Sequence, residues 1–347
     1  MPKKVRVGFV GTGGIAAFQA RILQKMEGVQ VIAGADVSEK ALSKFVDEFH
    51  IAHSFDDYNE MLQLKEIDAV SVCTPNYLHK DPAIAALKAG KHTLVEKPMA
   101  MNAREAQAMV DAARASKRKL VIGFQYRYSP PAQVIQRYVN EGNFGEVLFA
   151  RVQALRRRGI PSWGVFGRKD LQGGGPLIDI GVHAIELAHY LMGSPRAVSA
   201  SASMFTYLGD KAPTALPPWG DWDYKTYTVE DLAIGFVRFG NGACMIVESS
   251  FAAHIDQDIF NVTIMGEKGG ASWSPLKIYK DEAGVMVNVE PTFVGKYDAF
   301  ERKMQNWIAY VRGEGGTEAP GEAGVMVQKI LDGLYRSSER AKEVSIK

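Results

Sequence analysis

The chain is short of cysteine and of net charge, and both shortages narrow what it can be. Only Cys73 and Cys244 occur among 347 residues. They lie far apart, one in an apolar run and one in a strand-like run, so a disulfide framework is excluded and the pair reads as reduced core thiols. Lys and Arg number 41 against 39 Asp and Glu, a formal net charge of +2. The signs are interspersed, and the clusters Lys117-Arg118-Lys119 and Arg156-Arg157-Arg158 are too short to give nucleic acid a broad field. No run of about 18 apolar residues is available to cross a bilayer as a helix. The opening MPKKVRVGFVG passes straight into a strand-like stretch, without the apolar core and small-residue cleavage site of a secretory leader. The expectation is a cytoplasmic protein with no nucleic-acid or membrane partner. There is no internal repeat, and Pro213 to Tyr227 is the single long irregular piece.

What remains is ordinary globular composition, 46% hydrophobic and 23% charged, in a chain long enough for two cores. Up to about Gly123, short apolar runs alternate with amphipathic stretches: strands at Val5 to Val10, Val29 to Ala35, Ala69 to Cys73, Thr93 to Val95 and Leu120 to Gly123, and helices between them. Such alternation implies right-handed crossovers and a parallel sheet covered on both faces. After a helix at Ala132 to Asn140 come long alternating strands at Gly145 to Leu155, Ala197 to Tyr207, Asp231 to Arg238, Ala243 to Phe251 and Asn261 to Gly266. One helix, Leu177 to Met192, interrupts them, and Gly193 stops it. The predicted class is α/β: an N-terminal doubly wound parallel (Rossmann) sheet over 1–125, then an α+β domain over 126–347 on a large, mostly antiparallel open sheet. Helices in 298–347 are expected to pack back near the domain junction.

The first strand runs into Gly11-Thr12-Gly13-Gly14-Ile15-Ala16, a G-x-G-x-x-A sequence opening the first helix. Gly11 permits the tight turn, Gly13 lets a pyrophosphate approach the backbone, and Ala16 lets helix and strand pack closely. The helix N-terminus then faces the anion. Asp36 ends the second strand, about 25 residues on, where a carboxylate binds ribose hydroxyls and repels the extra phosphate of NADP. A helix N-cap is its other reading, which Ser38 could equally supply. With no arginine close behind Asp36, the expected cofactor is NAD, with NADP possible.

Three further motifs, Thr74-Pro75-Asn76-Tyr77-Leu78-His79, Gly90-Lys91-His92-Thr93-Leu94-Val95-Glu96-Lys97-Pro98 and Gly173-Gly174-Gly175-Pro176-Leu177-Ile178-Asp179-Ile180-Gly181-Val182-His183, resemble the glucose-fructose oxidoreductase and inositol dehydrogenase (Gfo/Idh/MocA) family in content, order and separation. The resemblance covers nearly the whole chain. It implies a nicotinamide-dependent oxidoreductase with cofactor contacts from Gly11, Gly13, Gly14, Ile15, Asp36, Thr74, Pro75, Asn76, His79, Glu96 and Lys97. It implies too that Lys97 touches the hydroxyl being oxidised and precedes a proline that is often cis. By the same resemblance His183 accepts the proton and Asp179 binds and orients substrate.

The residues carry part of this reading alone. Lys97 follows a buried strand at its carboxyl end, where doubly wound sheets bind ligands; the bland alternative is a surface Glu-Lys pair of little energetic weight. Asp179 and His183, four apart, share a face if their stretch is helical, though such a pair is often mere packing. Glu186 and His189 invite a metal, but His183 and His189 are six apart, not the spacing of zinc helices, so none is expected. Oxidising a secondary alcohol needs a base for the proton and a group to stabilise the alkoxide, which His183 and Lys97 supply. Substrate contacts are further expected from Tyr126, Arg127, Arg156, Arg158 and Trp163, with Trp219, Trp222 and Tyr224 either lining the site or buried in an oligomer contact. The expected activity is hydride transfer between a secondary alcohol of a sugar, inositol or related polyol and the nicotinamide, by a homodimer or homotetramer. An NAD-dependent glycosidase using transient oxidation would need the same residues, and loss of Lys97, Asp179 or His183 would have favoured a non-catalytic dinucleotide-binding protein.

Overall fold

A computed structural model describes residues 3–347, which fall into two compact units, 3–128 with 297–325 and 129–296 with 326–347. The first unit begins β1 (Val5–Val10), α1 (Gly14–Leu23), β2 (Val29–Ala35), α2 (Glu39–Phe49), β3 (His53–Phe55), α3 (Tyr58–Leu62), β4 (Ala69–Val72), α4 (Lys80–Lys88), β5 (His92–Val95), α5 (Ala103–Ser116) and β6 (Leu120–Ile122). The six strands are parallel in the order β3-β2-β1-β4-β5-β6. Central strands are apolar on both faces because helices cover both: all four residues of β4 are buried, as expected for a parallel sheet. Helix starts follow local chemistry. Ser38, Asp57 and Asn102 each accept a hydrogen bond from an amide of the turn they open, which satisfies a donor the helix leaves unpaired.

The second unit holds α6 (Pro130–Asn140), β7 (Val147–Leu155), α7 (Lys169–Gln172), a π-helical turn at Leu177–Gly181 running directly into α8 (Val182–Leu191), and β8 (Ala197–Phe205), β9 (Leu232–Phe239), β10 (Cys244–Ser250), β11 (Ile259–Gly266), β12 (Gly269–Ser272), β13 (Lys277–Glu282) and β14 (Val285–Val289). Beyond it lie α9 (Ala299–Arg312), α10 (Gly321–Arg340) and β15 (Val344–Ser345). Nine strands form one open sheet, β14-β13-β12-β11-β7-β10-β9-β8-β15. Every pairing is antiparallel except β7 with β10. Ala150, Val152, Val247, Val262 and Ile264 are at most 1% exposed, and α8, buried along most of its length, lies against β7 and β11. No helix among the described residues is long and apolar enough to cross a membrane.

The division differs in detail from the sequence expectation of a second domain over 126–347 with its late helices packing back. The chain returns to the first unit at 297–325, because α9 buries Lys303, Met304, Trp307, Ile308 and Val311 along one side. Phe300 meets Phe18 of α1 edge-on at 5.0 Å, and Tyr128 donates to Asn306 at 2.9 Å. Past α9, Ala319 accepts from the amide of Ile122 at 3.0 Å and Pro320 bridges to Val121, so this segment covers the edge that β6 would otherwise leave bare.

His92, at the start of β5, gives the first unit a pH dependence. Its Nδ1 accepts from the Lys119 amide at 3.1 Å, so the neutral ring is the form that fits. Burial, then the charges of Arg118, Lys119 and Lys3, lower its pKa from 6.5 to about 4. Between those values the unfolded chain binds more protons than the folded one, so this contribution to stability is intact above 6.5 and is lost as pH falls toward 4. Urea midpoints at pH 7 and pH 4.5 should therefore differ less in His92→Gln than in the parent; an equal drop in both would remove His92 from the account.

Candidate active site

At the end of β1, Gly11 has φ +82°, and a Cβ there would lie 2.8 Å from the Cys73 carbonyl, so only glycine fits the crossing of this turn over β4. Gly13 and Gly14 are exposed, and a Cβ on either would meet nothing within 4 Å. No side chain caps the start of α1 at Gly13, and Ala16 is fully buried against the sheet. A helix start left uncapped, with open glycine backbone before it, fits a dinucleotide pyrophosphate.

Asp36 is half-buried and holds this loop. Its Oδ2 accepts from the amide and hydroxyl of Thr12 at 2.8 and 3.1 Å, and its Oδ1 from the Ser38 amide at 2.8 Å. Ser38, not Asp36, caps α2. A carboxylate has about four acceptor sites, so three bonds leave capacity for a ribose hydroxyl. Thr12, an unassigned position of the glycine motif, is the residue that ties Asp36 to the loop.

The Thr74-to-His79 motif closes on itself. Thr74 donates to the Leu78 carbonyl at 3.1 Å; Asn76 is buried, and Pro75 and Tyr77 are exposed. His79 is 1% exposed, with Nδ1 2.7 Å from the Pro98 carbonyl and Nε2 2.8 Å from the Thr74 carbonyl. Burial lowers its pKa against the pull of those carbonyls. Both ring nitrogens thus face protein carbonyls, and His79, expected from the sequence as a cofactor contact, links the loop to the Lys97-Pro98 turn.

That turn contains a cis Lys97-Pro98 peptide, with Lys97 half-buried. Glu96 beside it is 7% exposed and is not a surface partner of Lys97. Its Oε1 accepts from Lys303 of α9 at 2.8 Å and from Gln19 of α1 at 2.6 Å, while Gln19 accepts from Ser71 of β4 at 2.7 Å. Lys303 is fully buried. Gly123 is glycine because a Cβ would come within 2.7 Å of the Glu96 carboxylate. Cys73 lies in the same field, and burial with Glu96 pushes its thiol up to about 12, an unreactive state. Glu96 therefore anchors the strand end that presents Lys97. Lys303, Gln19 and Ser71 gave no sequence signal beyond polar residues at apolar positions of their elements.

In the second unit the glycine run is explained by contact. Gly173, at φ +92°, ends α7. A Cβ on Gly174 would fall 2.0 Å from Tyr335 Oη, and one on Gly175 would fall 2.1 Å from the Glu230 carbonyl. Glu230 accepts from the amides of Gly175 and Leu177 at 2.9 and 3.2 Å and from Tyr335 Oη at 2.8 Å. Burial raises the pKa of both Glu230 and Tyr335. Asp179 and His183 straddle the passage from π turn to α8, a local widening often found at functional sites. From Gly174 to His189 every residue is buried except His183. Asp179 is 6% exposed. His189 is a packing residue, 2.9 Å from the Pro195 carbonyl and stacked on Phe239; Glu186 is fully buried.

The remaining substrate candidates divide. Arg127 is 2% exposed, donates to the Glu318 carbonyl at 2.7 Å and lies over Phe124; Tyr126 is half-exposed. Arg158 bonds the Ala253 carbonyl at 3.0 Å and meets His254 at 2.9 Å. Arg156 lies over Trp219, which stacks on Trp163. Trp222 donates to the Gly209 carbonyl at 2.7 Å.

The Glu96–Lys303 pair makes a stability prediction. Lys303→Met leaves a buried carboxylate unpaired and should cost about 3–5 kcal/mol, whereas Glu96→Gln with Lys303→Met removes both charges and should recover most of it. Chemical denaturation of the three variants decides the matter, and a single variant as stable as the parent would show that the pair carries no stability.

Residues 5–124 match the "Oxidoreductase family, NAD-binding Rossmann fold", and residues 136–346 match the "Oxidoreductase family, C-terminal alpha/beta domain". The chain is 35% identical to D-glucoside 3-dehydrogenase of Escherichia coli (strain K12) over 344 residues, 99% of this chain and 97% of that one. It is 30% identical to levoglucosan dehydrogenase of Pseudarthrobacter phenanthrenivorans over 245 residues, 68% of this chain and 62% of that one. A solved structure of levoglucosan dehydrogenase in complex with NADH superposes with a TM-score of 0.85 at 22% identity, covering 99% of this chain and all of that one. With both parts matched in sequence and the glycine loop open to a pyrophosphate, the chain belongs to the Gfo/Idh/MocA family of NAD-binding oxidoreductases.

Proposed function

We propose that the chain is a dehydrogenase of a secondary alcohol on a sugar or related polyol, with Lys97, Asp179 and His183 as its chemical residues. The observation that carries the reading is His183, the one residue of a sixteen-residue buried stretch that keeps an exposed surface, seated one turn from a buried carboxylate. NAD, when bound, takes the hydride from the carbon. The protein must then remove the hydroxyl proton. A half-buried imidazole at this place is the group suited to accept it. The role we assign to the Lys97 ammonium is to stabilise the alkoxide as the proton leaves. Asp179 orients the hydroxyl and the imidazole. The relatives named as glucoside and levoglucosan dehydrogenases support a carbohydrate substrate.

Asp36, at the end of β2 and bonded to the glycine loop, supports NAD over NADP, whose additional phosphate would lie against the carboxylate. Apolar positions at 39–48% exposure on the large sheet, Leu148, Phe205, Ile234 and Met265, support a homodimer or homotetramer. Two unpaired thiols, Cys73 and Cys244, are consistent with the cytoplasm.

The test is NAD reduction across aldoses, glycosides, inositols and other polyols. Lys97→Ala and His183→Ala should each lower kcat by at least about a hundredfold, while NAD binding, followed by nicotinamide or protein fluorescence, stays near that of the parent. Near-parental turnover in both variants defeats the assignment of the chemistry. Asp36→Ala should narrow the preference for NAD over NADP by about tenfold or more, read as the ratio of the two kcat/KM values; an unchanged ratio assigns the discrimination elsewhere.

A further inference from the structure

We propose that the second unit carries an outer subsite, built on Trp163 and Trp219, that stacks the second ring of a glycoside, so that the enzyme selects glycosides over free monosaccharides. The inference rests on the carbohydrate reading above and adds to it which part of the substrate is recognised away from the oxidised hydroxyl.

Trp163 is 56% exposed and Trp219 37%. Their rings stack with centroids 5.6 Å apart and planes within 24°, and Phe166 meets Trp163 edge-on at 6.3 Å. The Arg156 guanidinium lies 4.3 Å from the Trp219 ring and 5.4 Å from that of the fully buried Phe251. The stack is fixed to its surroundings: Ser162 Oγ donates to the Trp219 carbonyl at 2.5 Å, and Arg156 Nη1 to the Gly159 carbonyl at 3.0 Å. Scattered exposed apolar residues need no explanation. Two indoles stacked face to face, the inner one backed by an arginine that packs on the core, present an apolar face to solvent, and holding that face in place in advance lowers the cost of binding.

Its position ties it to the chemistry. β7 and β10 are the sheet's one parallel pair, so their carboxyl ends lie together. At that end Ser249 Oγ donates to the Pro176 carbonyl at 2.9 Å and limits Gly181 to glycine, which seats β10 against the turn bearing Asp179 and His183. The next two residues carry the stack: the Ser250 carbonyl accepts from the Arg156 amide at 3.0 Å, and Phe251 lies under the Arg156 guanidinium. The platform and the turn therefore share one strand end.

A pyranose presents an apolar face of C–H groups and a rim of hydroxyls; an aryl ring presents an apolar face alone. Indole planes suit either face, and Arg158, which lines a small cavity with Trp219, brings guanidinium donors close by. A free monosaccharide engaged at Asp179 and His183 has no second ring to place on this plane, whereas a glycoside does.

The experiment compares phenyl glucosides of both anomers with D-glucose. Trp163→Ala should lower the ratio of kcat/KM for phenyl glucoside to kcat/KM for glucose by about tenfold, with the loss in KM, because binding away from the reacting carbon is lost equally from ground and transition states. Trp163→Phe, which keeps a stacking face, should retain most of the ratio and controls for folding. Calorimetric titration of phenyl glucoside into the parent and Trp163→Ala proteins reads the platform without turnover. Weaker binding in the variant supports the subsite even if no sugar is oxidised, a result that would instead defeat the dehydrogenase reading. An unchanged ratio together with unchanged binding overturns the subsite. So does a change of molecular mass in Trp163→Ala on size exclusion, which would make the indoles a contact between copies of the chain.

Discussion

A buried carboxylate and a buried ammonium cannot be left apart, because each alone would have to give up its charge or the fold. In the first unit that constraint joins the end of β5 to a helix 207 residues further along the chain. Glu96 sits where the sheet presents Lys97, and with Gln19, Ser71 and Lys303 it draws α1, β4, β5 and α9 onto one point. Around it, Gly123 stays bare to make room, His79 pins the following turn, and Cys73 is held protonated. The cofactor loop and the lysine thus stand on a polar knot inside an otherwise apolar sheet, so the position of Lys97 depends on the satisfaction of groups that never touch a substrate.

The second unit solves a similar problem with a single acid. Glu230 receives the two amides that open the π turn and the hydroxyl of Tyr335 from α10, and two glycines bring the backbone close enough for those bonds to form. The widened turn leaves Asp179 covered and His183 open within one turn of helix. Sheet topology then sets the neighbourhood: the single parallel pair in a mostly antiparallel sheet gathers the loops after β7 and β10 at one end, the same gathering that makes the carboxyl edge of parallel sheets the usual place for ligands.

Much of this was legible because periodicity and glycine chemistry are local. β1 and β2 have the very bounds that apolar spacing suggests, Ser38 caps α2, and the strand-glycine-helix order is the one expected of a dinucleotide loop. The elements the sequence concealed are those whose burial is not patterned. β3 spans three residues, β12 reads as Gly-Gly-Ala-Ser, and the β13–β14 hairpin turns on Ala283-Gly284 with both φ values positive, a geometry usually announced by Asn-Gly. The wide turn before α8 was equally hidden, since its residues are ordinary helix formers. The partners of Glu96 and Asp36 were invisible for another reason: a hydrogen bond between Thr12 and Asp36, or an ion pair spanning two hundred residues, leaves no spacing to read. The bonds of His79 and Arg127 to protein carbonyls were unreadable in the same way.

The return of α9 has a consequence for how freely the nucleotide-binding portion can be treated as a module. All six of its parallel strands are complete by Ile122, and a gene could be cut there without severing any sheet. Such a fragment would nevertheless keep Glu96 and lose its counterion, and would expose the edge of β6 that residues 319 and 320 cover. The portion that binds the dinucleotide is consequently not transferable as a contiguous block of sequence, and any recombination that swaps substrate domains must carry the late helix across with the early sheet.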